Sequence, residues 1–430
     1  MNANKFKSNE ILNMDVKEVL FPKGYDLLPN SHEAWDWEMA FLEKQALSKE
    51  DLIDRSAFFA RIDGIPTYHY RMCSSTDTSI HSKKSIYTRS FFLANQFSTG
   101  YATHGLFPYR GKFHPQIVKG IFNIIDVKPG EVILDPMAGS YTACLEAKIM
   151  GINSIGIDLS PFCALMGKAK SFATTLNLEG LDKLQFLLPQ ILPTLETNSE
   201  LRANLQGVVN EASIDSAEKI GFVDLVMLTF LDSVGYARRR KHKIANDLFP
   251  EVFTRYLATI RSFIDFVQSN KLRVTFGDTE IRVGSVLELQ MPDKSVDCVL
   301  TSPPYSFAID YVDNDAPQLE LLGVDTDVLR QKMIGLRGAD KEERIANYFK
   351  DMALAFKEMS RVLKPGKFCV IIVGSNSIQT GGIKHEEEFK TLASKADLAL
   401  VRDMVKPIKG IQNTLHEEHV MFFKKKHETN

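Results

Sequence analysis

Short apolar runs that stop at a polar or turn-forming residue recur along this chain. The first two stop at Asp135 and Asp158, and a third stops at Thr301. Apolar runs of this length, bounded by turn signals, predict buried strands. The clearest are residues 132–134, 154–157, 296–300, 368–373, 399–408 and 419–423. The last two predict an antiparallel pair that completes the sheet.

Between these runs, apolar residues recur every three or four positions, which predicts helices. The pattern is clearest over residues 344–363, where Ile345, Phe349, Met352 and Phe356 share one face. Residues 35–52 near the N-terminus also fit a helix. Strands alternating with helices predict an α/β fold with a mostly parallel sheet.

The same pattern divides the chain into four stretches. Residues 1–100 form an N-terminal accessory region, rich in aromatic residues, whose secondary structure the sequence leaves open. Residues 101–170 and 271–430 carry the two parts of the predicted α/β domain. Residues 171–270 separate them as an insertion of mostly helical pattern, which has no place in a minimal sheet. This insertion is therefore a candidate for target recognition.

The stretch from Asp135 to Asp158 has the outline of a nucleotide-binding unit of strand, small-residue turn, helix and strand. Gly139 in the turn lets the backbone pass close to a ligand. Free N–H groups at the start of the following helix favour a carboxylate. An acid at the end of the second strand, Asp158, suits two ribose hydroxyls.

Thr301-Ser302-Pro303-Pro304-Tyr305 follows the next predicted strand directly. Proline fixes φ and restricts the residue before it, so Ser302 and Pro303 are expected to be extended. The Ser302 hydroxyl and the Pro303 carbonyl are then fixed acceptors beside the Tyr305 ring. Two acceptors and a ring suit a flipped nucleobase with an exocyclic NH2 group. A Pro-Pro dipeptide alone would simply end a strand, so the assignment depends on the cofactor-like unit before it.

With both motifs present, residues 104–170 and 283–373 resemble the S-adenosylmethionine-dependent DNA amino-methyltransferases. The Ser-Pro-Pro-Tyr form of the motif is similar to the N4-cytosine type. The resemblance implies a Rossmann-like class I methyltransferase fold with a mostly parallel seven-stranded sheet. This chain would add a helical insertion and an N-terminal extension to it.

The resemblance also implies which residues act. The catalytic motif would be Ser302, Pro303, Pro304 and Tyr305. S-adenosylmethionine would be bound by a set drawn from the loop 109–115, the turn after the first strand and the next two strand ends: Phe113, Asp135, Ala138, Gly139, Ser140, Thr142, Asp158, Leu159 and Ser285. There are two departures from the family pattern. Tyr141 stands where a second glycine is usual, and Ser285 stands where an acid is common.

The implied reaction is in-line transfer of the sulfonium methyl group to an exocyclic nitrogen. Hydrogen bonds to Ser302 and the Pro303 carbonyl would draw that nitrogen towards a pyramidal, nucleophilic geometry, while Tyr305 stacks on the base. The cationic product loses a proton readily, so no strong base is required. Asp310 is a possible proton acceptor, although only its closeness in sequence suggests this role.

Charge and composition bear on the partners. The formal net charge is −2, so any nucleic-acid surface must be local. The densest basic run contains Arg238, Arg239, Arg240 and Lys241, which are the preferred candidates for phosphate contact. The five cysteines show no zinc spacing and indicate core thiols in a reducing compartment, so no metal is expected. No apolar stretch suggests a membrane span or signal region, so a cytoplasmic protein is expected.

Several readings stay open at this point. The predicted partner is duplex DNA, with a cognate restriction endonuclease or another defence-system subunit as a further possibility. The same fold could act on adenine N6, since pocket shape also decides the base. An RNA base methyltransferase would be expected to carry an RNA-binding module, and none is visible. A non-catalytic DNA-recognition subunit remains open because of Tyr141 and Ser285.

Overall fold

A computed structural model describes residues 15–75, 100–109, 111–195, 200–212, 214–216, 218–239, 243–270, 275–304, 310–374, 383–408 and 417–427. These residues fold as two compact units. The smaller is drawn from residues 1–98 and 116–126, and the larger from residues 99–115 and 127–430.

The smaller unit contains a three-stranded antiparallel sheet and five helices among its described residues. The strands are β1 (Tyr25–Leu27), β2 (Phe59–Ile62) and β3 (Ile65–Pro66); the helices are α1 (Val16–Leu20), α2 (Ala34–Ala46), α3 (Lys49–Arg55), α4 (Tyr68–Ser75) and α5 (Pro115–Ile124). Glu43 of α2 is fully buried and accepts hydrogen bonds from the N–H of Ala57 at 2.7 Å and from Asn123 Nδ2 at 2.6 Å. A buried carboxyl group thereby joins α2, α5 and the approach to β2. Burial raises the pKa of Glu43 to about 7, although these hydrogen bonds oppose the shift.

The larger unit is built on one seven-stranded sheet. Its strands are β4 (Val132–Asp135), β5 (Asn153–Asp158), β6 (Thr279–Val283), β7 (Val296–Thr301), β8 (Leu363–Gly374), β9 (Leu398–Pro407) and β10 (Glu417–Lys425). They lie in the order β6-β5-β4-β7-β8-β10-β9. The strands from β6 to β8 in that order pair in parallel, and β10 pairs antiparallel with both β8 and β9. The mostly parallel seven-stranded sheet of a Rossmann-like class I methyltransferase fold is therefore confirmed. The late antiparallel pair is confirmed as well.

The register of the sheet determines where the motifs lie. Asp135 pairs with Gly156, and Asp158 pairs with Val283 on the next strand. Parallel neighbours carry their C-terminal ends to the same edge, which is where open α/β sheets bind ligands. The segments that follow β4, β5, β6 and β7 consequently leave the sheet side by side.

Helices cover the sheet and form the insertion. They are α6 (Thr142–Ile149), α7 (Pro161–Thr175), α8 (Leu178–Phe186), α9 (Leu188–Thr194), α10 (Leu201–Glu211), α11 (Lys219–Arg239), α12 (Ala245–Ser269), α13 (Tyr311–Leu321), α14 (Thr326–Lys332), α15 (Lys341–Val362) and α16 (His385–Lys395). The helical character predicted for residues 171–270 is confirmed. The amphipathic helix predicted at residues 344–363 is α15, whose apolar face packs into the sheet core through Met352, Phe356 and Met359.

Helix α11 is the most apolar element of the insertion. Its length and composition would allow it to cross a membrane, but 67% of that stretch is buried inside the fold. It packs against α7 and α12, and its acid Asp232 pairs with Arg255 of α12. Its apolar character is therefore that of a core helix.

Candidate active site

One cleft opens at the C-terminal edge of β4, β5, β6 and β7. It encloses about 940 Å³, a volume that includes its open mouth. Its wall combines the turn after β4, the end of β5, the segment after β6 and the loop after β7. Two motifs that lie about 160 residues apart in sequence, at Ala138–Ser140 and at Ser302, therefore share one cavity.

The cleft collects most of the residues proposed from the sequence. Seven of the nine proposed cofactor residues line it: Phe113, Ala138, Gly139, Ser140, Asp158, Leu159 and Ser285. From the catalytic motif, Ser302 and Pro304 line it. Pro303 is buried beside them, and Tyr305 lies outside the described residues.

Asp158 is held in place by backbone groups on both sides. Its Oδ2 accepts a hydrogen bond from the N–H of Gly139 at 2.8 Å, and its Oδ1 accepts one from the N–H of Ser160 at 2.8 Å. Burial raises the pKa of this carboxyl group, and the two backbone donors oppose the shift. Each carboxylate oxygen keeps a further lone pair that can accept a bond from a ligand.

Asp135 and Thr142, which were also proposed as cofactor residues, lie behind the wall of the cleft. Asp135 is fully buried, and its Oδ1 accepts from the N–H of Met137 at 3.3 Å. Burial raises its pKa to about 7. The Thr142 hydroxyl lies 2.9 Å from that of Ser140. Both residues therefore act on the cleft through the turn that they support.

Tyr141 occupies the position where the family pattern has glycine, and the structure explains how it fits. Its φ is 59°, in the left-handed region that favours glycine, so a tyrosine here carries backbone strain. Its ring is fully buried and points away from the cleft into the space between β5 and α7. A Cβ added at Gly156 or Gly167 would lie 2.5 or 2.7 Å from that ring. Two glycines thus make room for one aromatic side chain, and the turn keeps its course beside the cleft.

Asp310, suggested from its sequence position as a proton acceptor, lies at the start of helix α13. Its side chain caps α13 by accepting from the N–H of Asp313 at 3.0 Å, and it forms an ion pair with Arg330 of α14. It does not line the cleft. The structure gives this carboxylate a capping and ion-pairing role, and a proton acceptor at Asp310 stays a prediction.

Helix α13 supplies a wall of the cleft that the sequence motifs did not indicate. Tyr311, Val312, Asp315 and Leu319 line the cavity, and their spacing places them on one helical face. The sequence offered one signal for this wall: these four residues come soon after the motif at residues 301–305 and recur at helical spacing. Gln318 anchors the helix by donating from Nε2 to the carbonyl of Leu231 in α11 at 3.2 Å.

Asp315 is the acidic group of that wall. It is only 4% exposed, and Asn314 Nδ2 donates to its Oδ1 at 2.8 Å. Burial raises its pKa to about 7, and the charge of Asp158 adds to the shift. The cleft consequently contains two carboxyl groups, one on each side.

The other sites considered from the sequence are the basic cluster, a metal site and the cysteines. Arg238 is exposed near the end of α11, while the side chains of Arg239, Arg240 and Lys241 lie outside the described part of the chain. Among described residues, no group of three or more His, Cys, Asp or Glu side chains is placed to hold a metal ion. All five cysteines are buried and unpaired with one another.

Two family models match overlapping parts of the chain. Residues 106–316 match an RMKL-like methyltransferase domain, and residues 296–430 match a DNA methylase domain. The second match begins at β7 and includes the Ser302–Pro304 loop. Residues 106–430 are thus similar to methyltransferase domains, and their C-terminal part is similar to the DNA methylases.

Curated relatives agree with this assignment. The chain is 25% identical over 283 residues to the Type II methyltransferase M.BsoBI of Geobacillus stearothermophilus, covering 55% of this chain and 56% of that protein. It is 41% identical over 106 residues to the Type II methyltransferase M.MjaII of Methanocaldococcus jannaschii, covering 24% of this chain and 18% of that protein. The chain spans about half the length of the first relative and less than a fifth of the second.

Solved structures of methyltransferases also align with the chain. An S-adenosylmethionine-dependent methyltransferase from Methanosarcina mazei is 13% identical, with 70% of this chain and 95% of that chain covered and a TM-score of 0.31. A DNA modification methylase homologue from Thermus thermophilus is 18% identical, with 34% and 54% covered and a TM-score of 0.22. The fold assignment rests on the strand order of the sheet.

The packing of Tyr141 predicts an unequal effect of two glycine-to-alanine substitutions. Gly167→Ala places a methyl group against the buried Tyr141 ring, so we expect a loss of about 1–3 kcal/mol in the free energy of unfolding. Gly207→Ala, in helix α10, meets no atom within 4 Å and should raise stability by about 0.5–1 kcal/mol. Urea unfolding of both variants measures the difference. Equal effects would contradict the packing described for Tyr141.

Proposed function

We propose that this protein transfers a methyl group from S-adenosylmethionine to the exocyclic N4 of cytosine in duplex DNA, after the base is flipped out. The observation that carries the proposal is the shared cleft. The Gly139–Asp158 pair and the Ser302–Pro304 loop open into one cavity, so a cofactor and a base could meet there. Positioning can accelerate methyl transfer only if the methyl donor and the target base lie in the same cavity.

The residues of the cleft suit S-adenosylmethionine. Its ribose would be held by Asp158, whose oxygens keep lone pairs towards the cavity. The turn at Gly139 has no side chain in the way, and a Cβ there would already lie 3.5 Å from the Tyr109 ring. The start of α6 favours the carboxylate of the methionine part. When bound, the cofactor supplies an electrophilic methyl group on its sulfonium sulfur.

The chain's own task is to make the target nitrogen nucleophilic. Ser302 lines the cleft directly after the fully buried end of β7, which fixes its position. The Ser302 hydroxyl and the Pro303 carbonyl would accept hydrogen bonds from the exocyclic amino group, and Tyr305 would stack on the base. The buried side chains of Val312 and Leu319 exclude water from the wall opposite the turn.

The choice of cytosine rests on Ser302 in the position before the two prolines. The alternative is the same reaction at adenine N6, because either base presents an exocyclic amino group to the same two acceptors. A non-catalytic recognition subunit is less favoured, because Tyr141 leaves the turn in place and Ser285 lines the cleft. The Ser285 hydroxyl accepts from the N–H of Leu287 at 3.2 Å, as a short acid could.

The curated relatives are both named Type II methyltransferases, which supports duplex DNA as the substrate and a restriction-modification setting. A cognate endonuclease or other defence-system subunit would then be the partner. A protein in that setting would be cytoplasmic, where its five buried cysteines would stay reduced.

The reaction and the base are tested together by one assay. Protein, labelled S-adenosylmethionine and mixed-sequence duplex DNA are incubated, and the digested nucleosides are identified by mass spectrometry. We expect labelled N4-methylcytosine, and we expect Ser302→Ala to lower the rate by about 10²-fold because one acceptor is removed. Ser295→Ala, at a serine in the turn just before β7, is the matched control and should leave the rate unchanged.

If that assay yields labelled N6-methyladenine, the proposed target base changes from cytosine to adenine and the proposed mechanism stays the same. No labelled nucleoside from DNA, together with intact binding of S-adenosylmethionine, would overturn the proposal of a self-sufficient DNA methyltransferase. Full activity of Ser302→Ala would remove Ser302 from the catalytic motif.

DNA binding through the basic cluster is tested by salt dependence. Replacing Arg238, Arg239, Arg240 and Lys241 by Gln should lower the slope of log affinity against log salt by about 0.9 for each phosphate that the cluster neutralises. A variant with the three arginines changed to lysine keeps the charge and should keep the slope. If the glutamine variant binds duplex DNA with unchanged affinity and slope, the cluster lies outside the interface.

A further inference from the structure

Helix α13 carries three acidic residues near its start, and only one of them enters the cleft. Asp310 and Asp313 both pair with Arg330 on the outside of the helix. Asp315 lies on the opposite side, is 4% exposed and lines the cavity. Asp315 therefore takes no part in the ion pairs with Arg330 that Asp310 and Asp313 form.

Among the residues that the structure describes, none neutralises Asp315. The Asn314 amide that donates a hydrogen bond to it is uncharged, and no described lysine, arginine or histidine forms an ion pair with it. The titratable groups that face it are Asp158, Cys163, Tyr311 and Tyr109, and the Tyr109 hydroxyl is hydrogen-bonded to it. Lys112 and Lys332 line the same cleft, but neither of them forms an ion pair with Asp315. Burial without a cationic partner disfavours the charged form of a carboxyl group, so a ligand that brings positive charge would stabilise the carboxylate of Asp315.

The covalent structure of the proposed cofactor fixes the order in which its groups lie along the cleft. The ribose is assigned to Asp158, and the carboxylate of the methionine part is assigned to the start of α6. The sulfonium would lie between the ribose at Asp158 and the amino nitrogen held by Ser302, because the methyl group passes from the sulfonium sulfur to that nitrogen. Helix α13 lines the same cleft through Tyr311, Val312 and Asp315, and the charge of Asp158 acts on Asp315 across it.

We propose that Asp315 is a further cofactor-binding residue that recognises the positive charge at the sulfonium of S-adenosylmethionine. This inference rests on the proposed function of the cleft. Methyl transfer turns the sulfonium into a neutral thioether, and the charge leaves with the methylated amino group. Asp315 then loses its partner, so the cleft distinguishes the methyl donor from the spent cofactor by charge.

Calorimetric titration with three ligands tests this. S-adenosylmethionine and sinefungin carry a positive charge at this position, whereas S-adenosylhomocysteine has a neutral sulfur. We expect Asp315→Asn to weaken binding of the two cationic ligands by about tenfold and that of S-adenosylhomocysteine by less than about threefold, as suits the loss of one partly buried ion pair. The measurement uses binding alone, so it does not depend on activity.

Two further variants serve as controls. Asp313→Asn removes the same charge from the same helix at an exposed position, and it should leave all three affinities within about twofold. Asp158→Asn should weaken all three ligands alike, because the ribose is common to them. Thermal unfolding checks that each variant folds, and Asp315→Ser, which also removes the charge, replaces Asp315→Asn if the latter does not.

The outcomes separate the inference from the function on which it rests. Equal weakening of all three ligands by Asp315→Asn would overturn recognition of the charge, and so would unchanged affinities. Binding of none of the three ligands by the unaltered protein would overturn the proposed cofactor site itself.

Discussion

The arrangement of the site depends on the hydrogen bonds made by Asp158. Its carboxylate accepts from the N–H groups of Gly139 and Ser160, and its carbonyl accepts from the N–H of Gly284 at 2.9 Å. One residue therefore joins the turn after β4, the start of α7 and the segment after β6. Backbone donors to a charged group form strong hydrogen bonds, particularly where water is partly excluded. The cleft keeps its shape because these three segments cannot move independently.

The sheet brings the groups that form those hydrogen bonds close together. Parallel pairing of β5 with both β4 and β6 carries their ends to one edge, and β7 joins the same edge beside β4. The long helical insertion between β5 and β6 leaves this register intact, since it packs as separate helices around α11. Chain added between strands thus changes what surrounds the site and not the site itself.

Much of this architecture could be predicted from sequence because it depends on local rules. Apolar runs that end at acids marked β4 and β5, and proline restriction marked the loop after β7. Three features could not be predicted in this way, because each depends on residues far apart in sequence. The side chain of Tyr141 fits only because Gly156 and Gly167 lie beside it. Asp310 and Asp315 look alike in sequence, yet the orientation of α13 places one at Arg330 and the other in the cleft.

The central claim is that one cleft holds the methyl donor and the target base together. A bisubstrate analogue, in which an S-adenosylhomocysteine skeleton is linked through its sulfur position to N4 of cytidine, tests it most directly. The account predicts that the analogue binds at least about tenfold more tightly than S-adenosylhomocysteine, because the second group binds without a second loss of translational freedom. It also predicts that Asp158→Asn and Ser302→Ala both weaken the analogue. Affinity no greater than that of S-adenosylhomocysteine, unaffected by Ser302→Ala, would contradict the shared site.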